Sequence, residues 1–298
     1  MSNLRHVHVC PRLPASVTAL GFELEHGHVI PEHAHPEDQL VYACRGVMTV
    51  RTDAGIWVIP AQRAVWIPAM TPHSIVISGA VSMRTVYLRS KMARKLPRAC
   101  CVINVSALLQ QLILHLCARQ KLSRKSRIHS HLIEVFLDQL ETVRAVPLQL
   151  PVPTEVRAAR VAAMLQQTTG NGHSLESACK QAGASRRTIE RLFQQETRLS
   201  LGQWRQQLRL MRSLQLLAAG ETIGNAALEA GYSTASAFIA MFRKALGTTP
   251  GRYFREREAT AAASRRNQSS RTVEQVRPAS FLPGAVRSRS GFRGSLAS

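Results

Sequence analysis

Two histidines, His33 and His35, stand two positions apart in the chain and are followed by Gln39. Side chains two positions apart on a β-strand point to the same face, so both imidazoles can face one site. Imidazole nitrogens bind zinc, iron and copper, and they also form hydrogen bonds with small polar molecules. If this segment is a strand, it predicts either a metal site or a polar binding pocket.

The residues around these histidines resemble the metal-binding motifs of cupin barrels. The run His33-Ala-His35-Pro-Glu-Asp-Gln39 precedes Gly46, and a second run reads Pro68-Ala-Met-Thr-Pro-His73. The resemblance implies that three histidines converge inside a barrel, where cupins add a glutamate to complete the metal site. Here Gln39 replaces the glutamate and Met70 replaces a glycine. Three interpretations stay open: a metal ion, an effector pocket without metal, and a structural set of histidines.

Of these three, the sequence favours an effector pocket without metal or other cofactor. A neutral amide binds a divalent cation much more weakly than a carboxylate does, so Gln39 weakens the metal interpretation. The two nearby indole rings could line the pocket or belong to the core. The predicted pocket residues are His33, His35, Gln39, His73, Trp57 and Trp66.

Short apolar runs between residues 16 and 87 must position these side chains. The runs are rich in Val, Ile and aromatic residues, and Gly or Pro separates them at regular intervals. This spacing is typical of an antiparallel barrel or sandwich. Residues 1–90 are therefore predicted to form a cupin-like effector or sensor barrel.

The periodicity changes from that of strands to that of helices after residue 103. Apolar residues recur at helical spacing over residues 104–120 and again over residues 127–143. Two such helices would form a packing layer on the barrel or a dimer seam. Residues 91–153, which end in a proline-rich stretch, are predicted to be a helical linker and a candidate dimerisation layer.

One helical pattern occurs twice in the next segment. Two turn positions match at an offset of 48 residues, namely Gly183 with Gly231 and Ser185 with Ser233. Two apolar positions match at an offset of 49 residues, namely Ile189 with Phe238 and Phe193 with Phe242. Each copy is typical of two short helices around a glycine turn. Residues 154–258 are therefore predicted to form an all-α domain with two helix-turn-helix units, which could contact successive major-groove faces of DNA.

The second helix of each copy is the predicted recognition helix. In the first copy its outward side chains include arginines, which can bind a guanine edge bidentately. In the second copy they are nearly uncharged, which favours thymine-methyl contact, shape fit and anchoring to the DNA backbone. The predicted DNA contacts are Arg186, Arg187, Thr188, Glu190, Arg191 and Gln194 in the first copy, and Thr234, Ser236, Ala237, Ala240, Arg243 and Lys244 in the second.

An amphipathic helix over residues 201–219 is predicted to join the two copies. At about 1.5 Å per residue, it spans just under one duplex turn of about 34 Å. By the runs at residues 203–209 and 247–253, the segment 175–255 resembles the AraC/XylS family of bacterial transcription regulators. The resemblance implies two helix-turn-helix motifs on a central helix, binding to promoter DNA and action on RNA polymerase.

Charge and cysteine content limit the class of protein. Lys and Arg number 39 against 18 Asp and Glu, a net charge of +21, which favours nucleic acid as partner over an anionic membrane. The six cysteines form no Cys-x-x-Cys pair, as in a cytoplasmic protein with reduced thiols. No apolar run predicts a membrane span or a signal core. Residues 259–298, rich in Ser, Arg and Ala, are predicted to be a disordered basic tail.

These features predict an α+β multidomain protein that is a sequence-specific transcription regulator and not an enzyme. A small-molecule effector in the barrel would control it at promoters of nearby transporter or metabolic genes, as activator or repressor. The expected partners are double-stranded promoter DNA, RNA polymerase, the effector and a second copy in a homodimer. The alternatives are a metal-dependent cupin oxygenase or isomerase fused to a DNA-binding domain, and an architectural DNA binder. Glu190 disfavours the architectural binder because an acidic group on the recognition face opposes indiscriminate phosphate contact.

Overall fold

The computed structural model describes residues 8–9, 15–141, 145–146, 148–167 and 175–254. An N-terminal antiparallel sheet domain precedes a C-terminal helical region, so the predicted fold class is confirmed. The predicted basic tail, residues 259–298, lies outside the described residues.

The strands belong to one sheet that is antiparallel except where its first strand pairs with the third. Their bounds are β1 (His8–Val9), β2 (Val17–Leu24), β3 (Val29–Ala34), β4 (Glu37–Thr52), β5 (Gly55–Pro60), β6 (Arg63–Ile67), β7 (His73–Arg89), β8 (Cys101–Asn104), β9 (Lys121–Leu122), β10 (Ala145–Val146) and β11 (Gln149–Pro151).

The long strands β4 and β7 hold the two halves of this sheet together. Along β4, the first part pairs with β6 and the second part with β5. Along β7, the first part pairs with β3 and the last part with β2. The register shifts around Gly46, which has φ +78°, and a Cβ there would lie 2.4 Å from the carbonyl oxygen of Ala80. Only glycine fits this close approach of β4 to β7. The chain therefore passes through Gly46 without leaving the strand, and the apolar runs on either side of Gly46 form one continuous strand with an irregular register.

The inner faces of both halves share one buried apolar cluster. Val41 and Ile67 of one half belong to the same cluster as Val50, Trp57 and Ile75 of the other. Because side chains alternate along a strand, the residues between them point to the outer faces, where helices cover part of the sheet.

Helices α1 (Ala107–Arg119) and α2 (Arg127–Glu141) cover the outer face of the half that contains β2 and β6. Leu109 and Phe136 are fully buried there against Leu40 and Trp66. Both predicted helices are therefore confirmed, and they form a packing layer. Three large apolar side chains of the two helices stay exposed, namely Leu108, Ile128 and Val135.

Four short strands, β8 to β11, lie in the segment that was predicted to be a helical linker. At two to four residues each, they are too short to show the alternation that reveals a strand. The proline-rich stretch contains β11, which pairs with β5. Among the described strands, β11 pairs with β5 alone, so Pro151 can lie at this edge although it has no N–H to donate.

The C-terminal region consists of helices with short connections. Their bounds are α3 (Val156–Gln167), α4 (Leu175–Gln181), α5 (Arg186–Thr197), α6 (Leu201–Ala218), α7 (Ile223–Glu229) and α8 (Ala235–Leu246), and residues 250–254 are also helical. In the described part of the chain, no helix is long and apolar enough to cross a membrane.

The connecting helix α6 packs against the sheet domain. It contacts β4, β5, β7 and β11. The Gln215 amide donates a hydrogen bond to the Thr49 hydroxyl at 2.7 Å, and the Trp204 indole donates one to the Pro151 carbonyl at 2.8 Å. Gly79 of β7 lies directly against the carbonyl of Ala218. The two regions therefore share a packed interface.

All five cysteines among the described residues are free thiols: Cys44, Cys100, Cys101, Cys117 and Cys179. Burial raises the pKa of Cys44 to about 11 and the pKa of both Cys100 and Cys117 to about 12. These thiols are therefore protonated at neutral pH, as expected for packing residues.

Candidate DNA-binding surface and effector site

The first helix-turn-helix unit consists of α4, a turn at Gly183 and α5. Gly183 has φ +68°, the left-handed conformation that favours glycine after a helix. The Ser185 hydroxyl accepts a hydrogen bond from the backbone N–H of Thr188 and caps α5. Ile189 and Phe193 are fully buried and fix the rotation of α5. The predicted start and apolar face of this helix are confirmed.

The polar face of α5 carries the side chains that were predicted to contact DNA. Thr188 is half-buried, and the others are exposed: Arg186, Arg187, Glu190, Arg191 and Gln194. Arg186 donates to Glu190 at 2.9 Å, one turn further along the helix. An exposed pair of this kind contributes little to stability, so the Arg186 guanidinium can exchange Glu190 for an external acceptor.

The second unit consists of α7, a turn at Gly231 and α8. Thr222 caps α7 by accepting from Asn225 N–H, and Thr234 caps α8 by accepting from Ala237 N–H. Phe238 and Phe242 are buried, and the latter packs against Tyr253, with ring centroids 5.5 Å apart. All six residues predicted to contact DNA in this unit are exposed: Thr234, Ser236, Ala237, Ala240, Arg243 and Lys244.

The helix α6 fixes the spacing of the two units. Ser200 and Gln203 form a capping box at its N-terminus. Trp204 is fully buried and meets Phe193 of the first unit edge to face, with ring centroids 5.2 Å apart. The second unit contacts the other part of α6, since the guanidinium of Arg209 lies 5.5 Å from the ring centroid of Tyr232.

Two arginines of α6, Arg205 and Arg209, extend the basic surface but were not predicted as DNA contacts. Burial lowers the pKa of Arg205, and the positive charges of Arg209 and Arg186 add to this effect. The Arg205 guanidinium is therefore repelled by those of Arg209 and Arg186. In the sequence, their four-residue spacing shows that Arg205 and Arg209 share one face of α6. It does not show that this face is turned toward α5.

The structure brings His33, His35 and His73 together at one end of the sheet. One ring nitrogen of each lies within 4.8 Å of the others. His33 of β3 is paired in register with His73 of β7, and their ring centroids are 4.3 Å apart. His35 and His73 are buried, while His33 is half-buried. The convergence that the cupin resemblance implied is therefore present.

Each histidine is oriented by a backbone carbonyl two residues away. The Nδ1 atoms of His33, His35 and His73 lie 2.8, 2.8 and 2.9 Å from the carbonyl oxygens of Pro31, Glu37 and Thr71, respectively. Because a carbonyl only accepts, Nδ1 must carry the proton in each ring. In the tautomer with one proton on Nδ1, the lone pair of the ring is on Nε2.

The electrostatics of the cluster keep two of its rings neutral. Burial lowers the pKa of His73 to about 3, and repulsion from a charged His33 adds to the shift. Burial also lowers the pKa of His33. At neutral pH, both side chains therefore act as lone-pair donors and not as cations.

Gln39 completes the polar end of the site. Its Oε1 lies 3.1 Å from His35 Nε2, and its amide nitrogen donates to the Thr85 hydroxyl at 2.9 Å. Tyr87, which is paired in register with Gln39, meets the His35 ring edge to face at 5.1 Å. Thr85 and Tyr87 were not predicted as site residues, because only strand register places Tyr87 opposite Gln39 and Thr85 opposite Val41, two residues further along β4.

The two predicted tryptophans occupy different places. Trp57 lies in the inner apolar cluster, cross-strand from Val50, and its indole N–H has no hydrogen-bond partner among the described residues. Trp66 is paired with Leu40, whose side chain points away from Gln39, and its indole donates to the Pro97 carbonyl. The structure therefore places Trp57 on the inner face and Trp66 on the outer face under α1 and α2.

Comparison with known proteins identifies both parts of the chain. A family model described as an AraC-like ligand binding domain matches residues 19–141, and one described as a helix-turn-helix domain matches residues 178–256. The HTH-type transcriptional regulator NimR of Escherichia coli (strain K12) is 34% identical over 223 residues, which cover 75% of this chain and 81% of NimR. The chain belongs to the AraC family.

This AraC-type transcriptional regulator thus combines a ligand-binding domain with a helix-turn-helix DNA-binding domain, and the family resemblance drawn from the sequence is confirmed. The HTH-type transcriptional activator RhaR of Mannheimia succiniciproducens is 32% identical over 90 residues, which cover 30% of this chain and 33% of RhaR. Among solved structures, ToxT from Vibrio cholerae is 10% identical, covers 80% of this chain and 98% of its own, and has a TM-score of 0.35.

Proposed function

We propose that this AraC-family regulator binds promoter DNA sequence-specifically through α5 and α8, and that a small-molecule effector in the sheet domain controls the binding. The observation that carries this proposal is the exposed arginine face of α5, which a serine cap and a buried Ile189 and Phe193 hold in a fixed orientation. The protein would act in the cytoplasm with RNA polymerase, at promoters of nearby transporter or metabolic genes.

The two recognition helices would have different roles in DNA binding. The exposed Arg187 and Arg191 of α5 can bind base edges, so α5 would carry most of the base discrimination. The exposed side chains of Ser236, Ala237 and Ala240 are small, which suits close approach and thymine-methyl contact. Arg243 and Lys244 at the end of α8 would bind phosphates.

Selection of bound sequences from random duplex DNA tests sequence-specific binding. The full-length protein is expected to enrich a site with two segments about one helical turn apart, and footprinting should show two protected regions on one side of the duplex. Enrichment of no sequence would contradict the proposal and favour an architectural binder. Repeating the selection with a panel of metabolites shows whether an effector changes occupancy.

The variant Arg191→Ala tests the assigned role of α5. Without its bidentate base contact, specific binding should weaken by about 1–3 kcal/mol and the preference at one position should relax. Arg160→Ala is the matched control, since Arg160 is an exposed arginine on α3 outside both helix-turn-helix units. Fluorescence anisotropy on the selected site measures both affinities. A larger change of base preference in Ala240→Ser than in Arg191→Ala would contradict the assignment.

The interface between α6 and the sheet supports a route for regulation. Strand β4 carries Gln39 at the histidine cluster and Thr49 against Gln215 of α6. Strand β7 carries His73 at the cluster and Gly79 against Ala218. An effector that binds at His33, His35, Gln39 and His73 would shift these strands and change how the sheet restrains α6. Trp57 shares the inner face with this site, whereas Trp66 does not.

The exposed apolar side chains on the outer helices support a homodimer. Leu108 of α1 is 53% exposed, and Ile128 and Val135 of α2 are 67% and 44% exposed. A second copy could cover these side chains and place two DNA-binding domains on one promoter.

The names of the similar proteins, which are transcriptional regulators and activators, support a role in regulation and not in catalysis.

A further inference from the structure

We propose that His33, His35 and His73, with Gln39 as a fourth ligand, bind a divalent transition-metal ion of the zinc class. The inference concerns the same site as the effector proposal, but it does not rest on DNA binding, because metal occupancy is measured on the protein alone. It also differs from the interpretation that the sequence favoured, which was a pocket without metal.

The first argument is the direction of the three lone pairs. Every Nδ1–H is bound to a backbone carbonyl, so Nε2 is the nitrogen of each ring that can bind a metal ion. A hydrogen bond from the non-ligating ring nitrogen is the usual support of a metal-bound histidine, because it fixes both the tautomer and the ring orientation. The chain supplies this support three times, each from a carbonyl two residues away from its histidine.

The second argument is an unpartnered acceptor. His73 is fully buried, and its Nε2 has no hydrogen-bond partner within the part of the chain that the structure describes. A buried acceptor without a donor destabilises the fold. A neutral His33 cannot supply the missing proton, because its single N–H, at Nδ1, is already donated to the Pro31 carbonyl. A cation between the rings would satisfy both lone pairs.

The third argument is the contact between His35 and Gln39. When Nδ1 carries the only proton of the ring, His35 presents a lone pair at Nε2 to another acceptor, Gln39 Oε1, only 3.1 Å away. The Gln39 amide nitrogen is already bound to Thr85, which keeps Oε1 turned toward the histidines. Two acceptors at this distance repel unless a proton on Nε2 or a metal cation lies between them. The same contact makes Oε1 the fourth ligand in place of a carboxylate.

The size of the cluster fits a small ion. Nitrogen ligands lie about 2.0–2.1 Å from zinc, which places them about 3.3 Å apart in a tetrahedron. The ring nitrogens lie within 4.8 Å of one another, so binding of the ion would draw them closer together. Three imidazoles and one amide oxygen suit borderline ions such as Zn²⁺, Co²⁺ and Ni²⁺ better than Mg²⁺ or Ca²⁺, which prefer oxygen ligands.

Metal titration of untagged, chelator-treated full-length protein tests the inference. We expect one equivalent of Zn²⁺ by elemental analysis after gel filtration, and an increase in Tm on zinc addition. Co²⁺ should give visible d–d bands of a four-coordinate nitrogen and oxygen site without thiolate charge transfer. His33→Ala and His73→Ala should lose the bound ion and the bands.

His131→Ala is the matched control, because His131 is an exposed histidine on α2 outside the cluster, and it should keep both signals. His33 is only half-buried, so His33→Ala leaves a small cavity and remains informative if His73→Ala does not fold. Gln39→Glu adds a carboxylate at the fourth position and should tighten zinc binding at least tenfold. Its folding is checked by circular dichroism.

Two results would overturn the inference. The first is that the wild-type protein binds no stoichiometric metal and that Gln39→Glu has no affinity for zinc. The wild-type protein would bind no metal if the Gln39 amide is rotated and its nitrogen donates a hydrogen bond to His35. The other is metal binding that persists in both His33→Ala and His73→Ala. Neither result bears on DNA binding, so failure of this inference and failure of the proposed function remain distinguishable.

Discussion

Single polar side chains set where each recognition helix begins. Ser185 and Thr234 both accept a hydrogen bond from the N–H three residues later, and each lies four residues before the first buried residue of its helix, Ile189 or Phe238. The cap of the second unit is therefore Thr234 and not Ser233, although Ser233 is the residue that matches Ser185 at the offset of 48. The offset between the two copies is 48 residues at the glycine of the turn, Gly183 and Gly231, and 49 residues at the cap, Ser185 and Thr234.

The variant Thr234→Ala tests this capping assignment. Removing the hydroxyl leaves the N–H of Ala237 without its partner and should lower the free energy of unfolding by about 1 kcal/mol. Ser233→Ala is the matched control, since Ser233 is exposed and does not cap α8, and it should be nearly neutral. Thermal unfolding of the two variants measures the difference. Equal destabilisation would show that the cap is misassigned.

Among the elements, α6 has the most varied contacts. One part of it packs against the first helix-turn-helix unit through Trp204, and another packs against the second unit near Arg209. A further side lies on the sheet, where Gly79 meets the C-terminal turn of the helix. Any change in the sheet at this contact must therefore move the element that spaces the two recognition helices.

The variant Gly79→Ala tests the tightness of this contact. An added Cβ would lie 1.9 Å from the carbonyl oxygen of Ala218, so α6 must move away from the sheet. Gly27→Ala is the matched control, because Gly27 also has a positive φ of +81° but nothing lies within 4 Å of its Cβ position. Overpacking should make Gly79→Ala less stable than Gly27→Ala by about 1–3 kcal/mol.

Hydrogen exchange separates this effect from general destabilisation. Amides of α6 that face the sheet should exchange faster in Gly79→Ala than in Gly27→Ala, while those of α1 and α2 should exchange alike in both. Similar exchange of α6 in the two variants would mean that the helix does not depend on its contact with Gly79.

The charge of the whole molecule favours DNA as a partner beyond the two recognition helices. The net charge is +21, and the tail after residue 258 carries seven basic residues and one acidic residue. Such a segment binds phosphates without regard to sequence. Base discrimination is assigned instead to the exposed face of α5, which the folded domain holds in place.

Removal of residues 259–298 tests this separation of roles. The logarithm of affinity should depend less steeply on salt, by about 0.9 for each phosphate that the tail neutralises, while the preferred site should stay the same. A tail of equal length with its arginines changed to glutamine is the control for chain length. A changed site preference after truncation would contradict the assignment of base discrimination to α5.

Helical features could be predicted from the sequence because their determinants are local. The caps, the glycine turns and the buried positions of α5 and α8 depend on residues within a few positions of one another. Strand geometry also predicted that His33, on β3, and His35, which directly follows β3, face one site. The repeat, the polar faces and the family could therefore be inferred before any tertiary contact was known.

Tertiary structure alone decided which distant residues meet. Strand register paired His33 with His73 and placed Thr85 beside Gln39, while it turned Trp66 to the outer face. Packing of α6 on the sheet joined the two regions at Thr49 and Gly79. Such contacts depend on how strands separated by tens of residues align and on the shape of the packed core, and neither follows from local preferences of the chain.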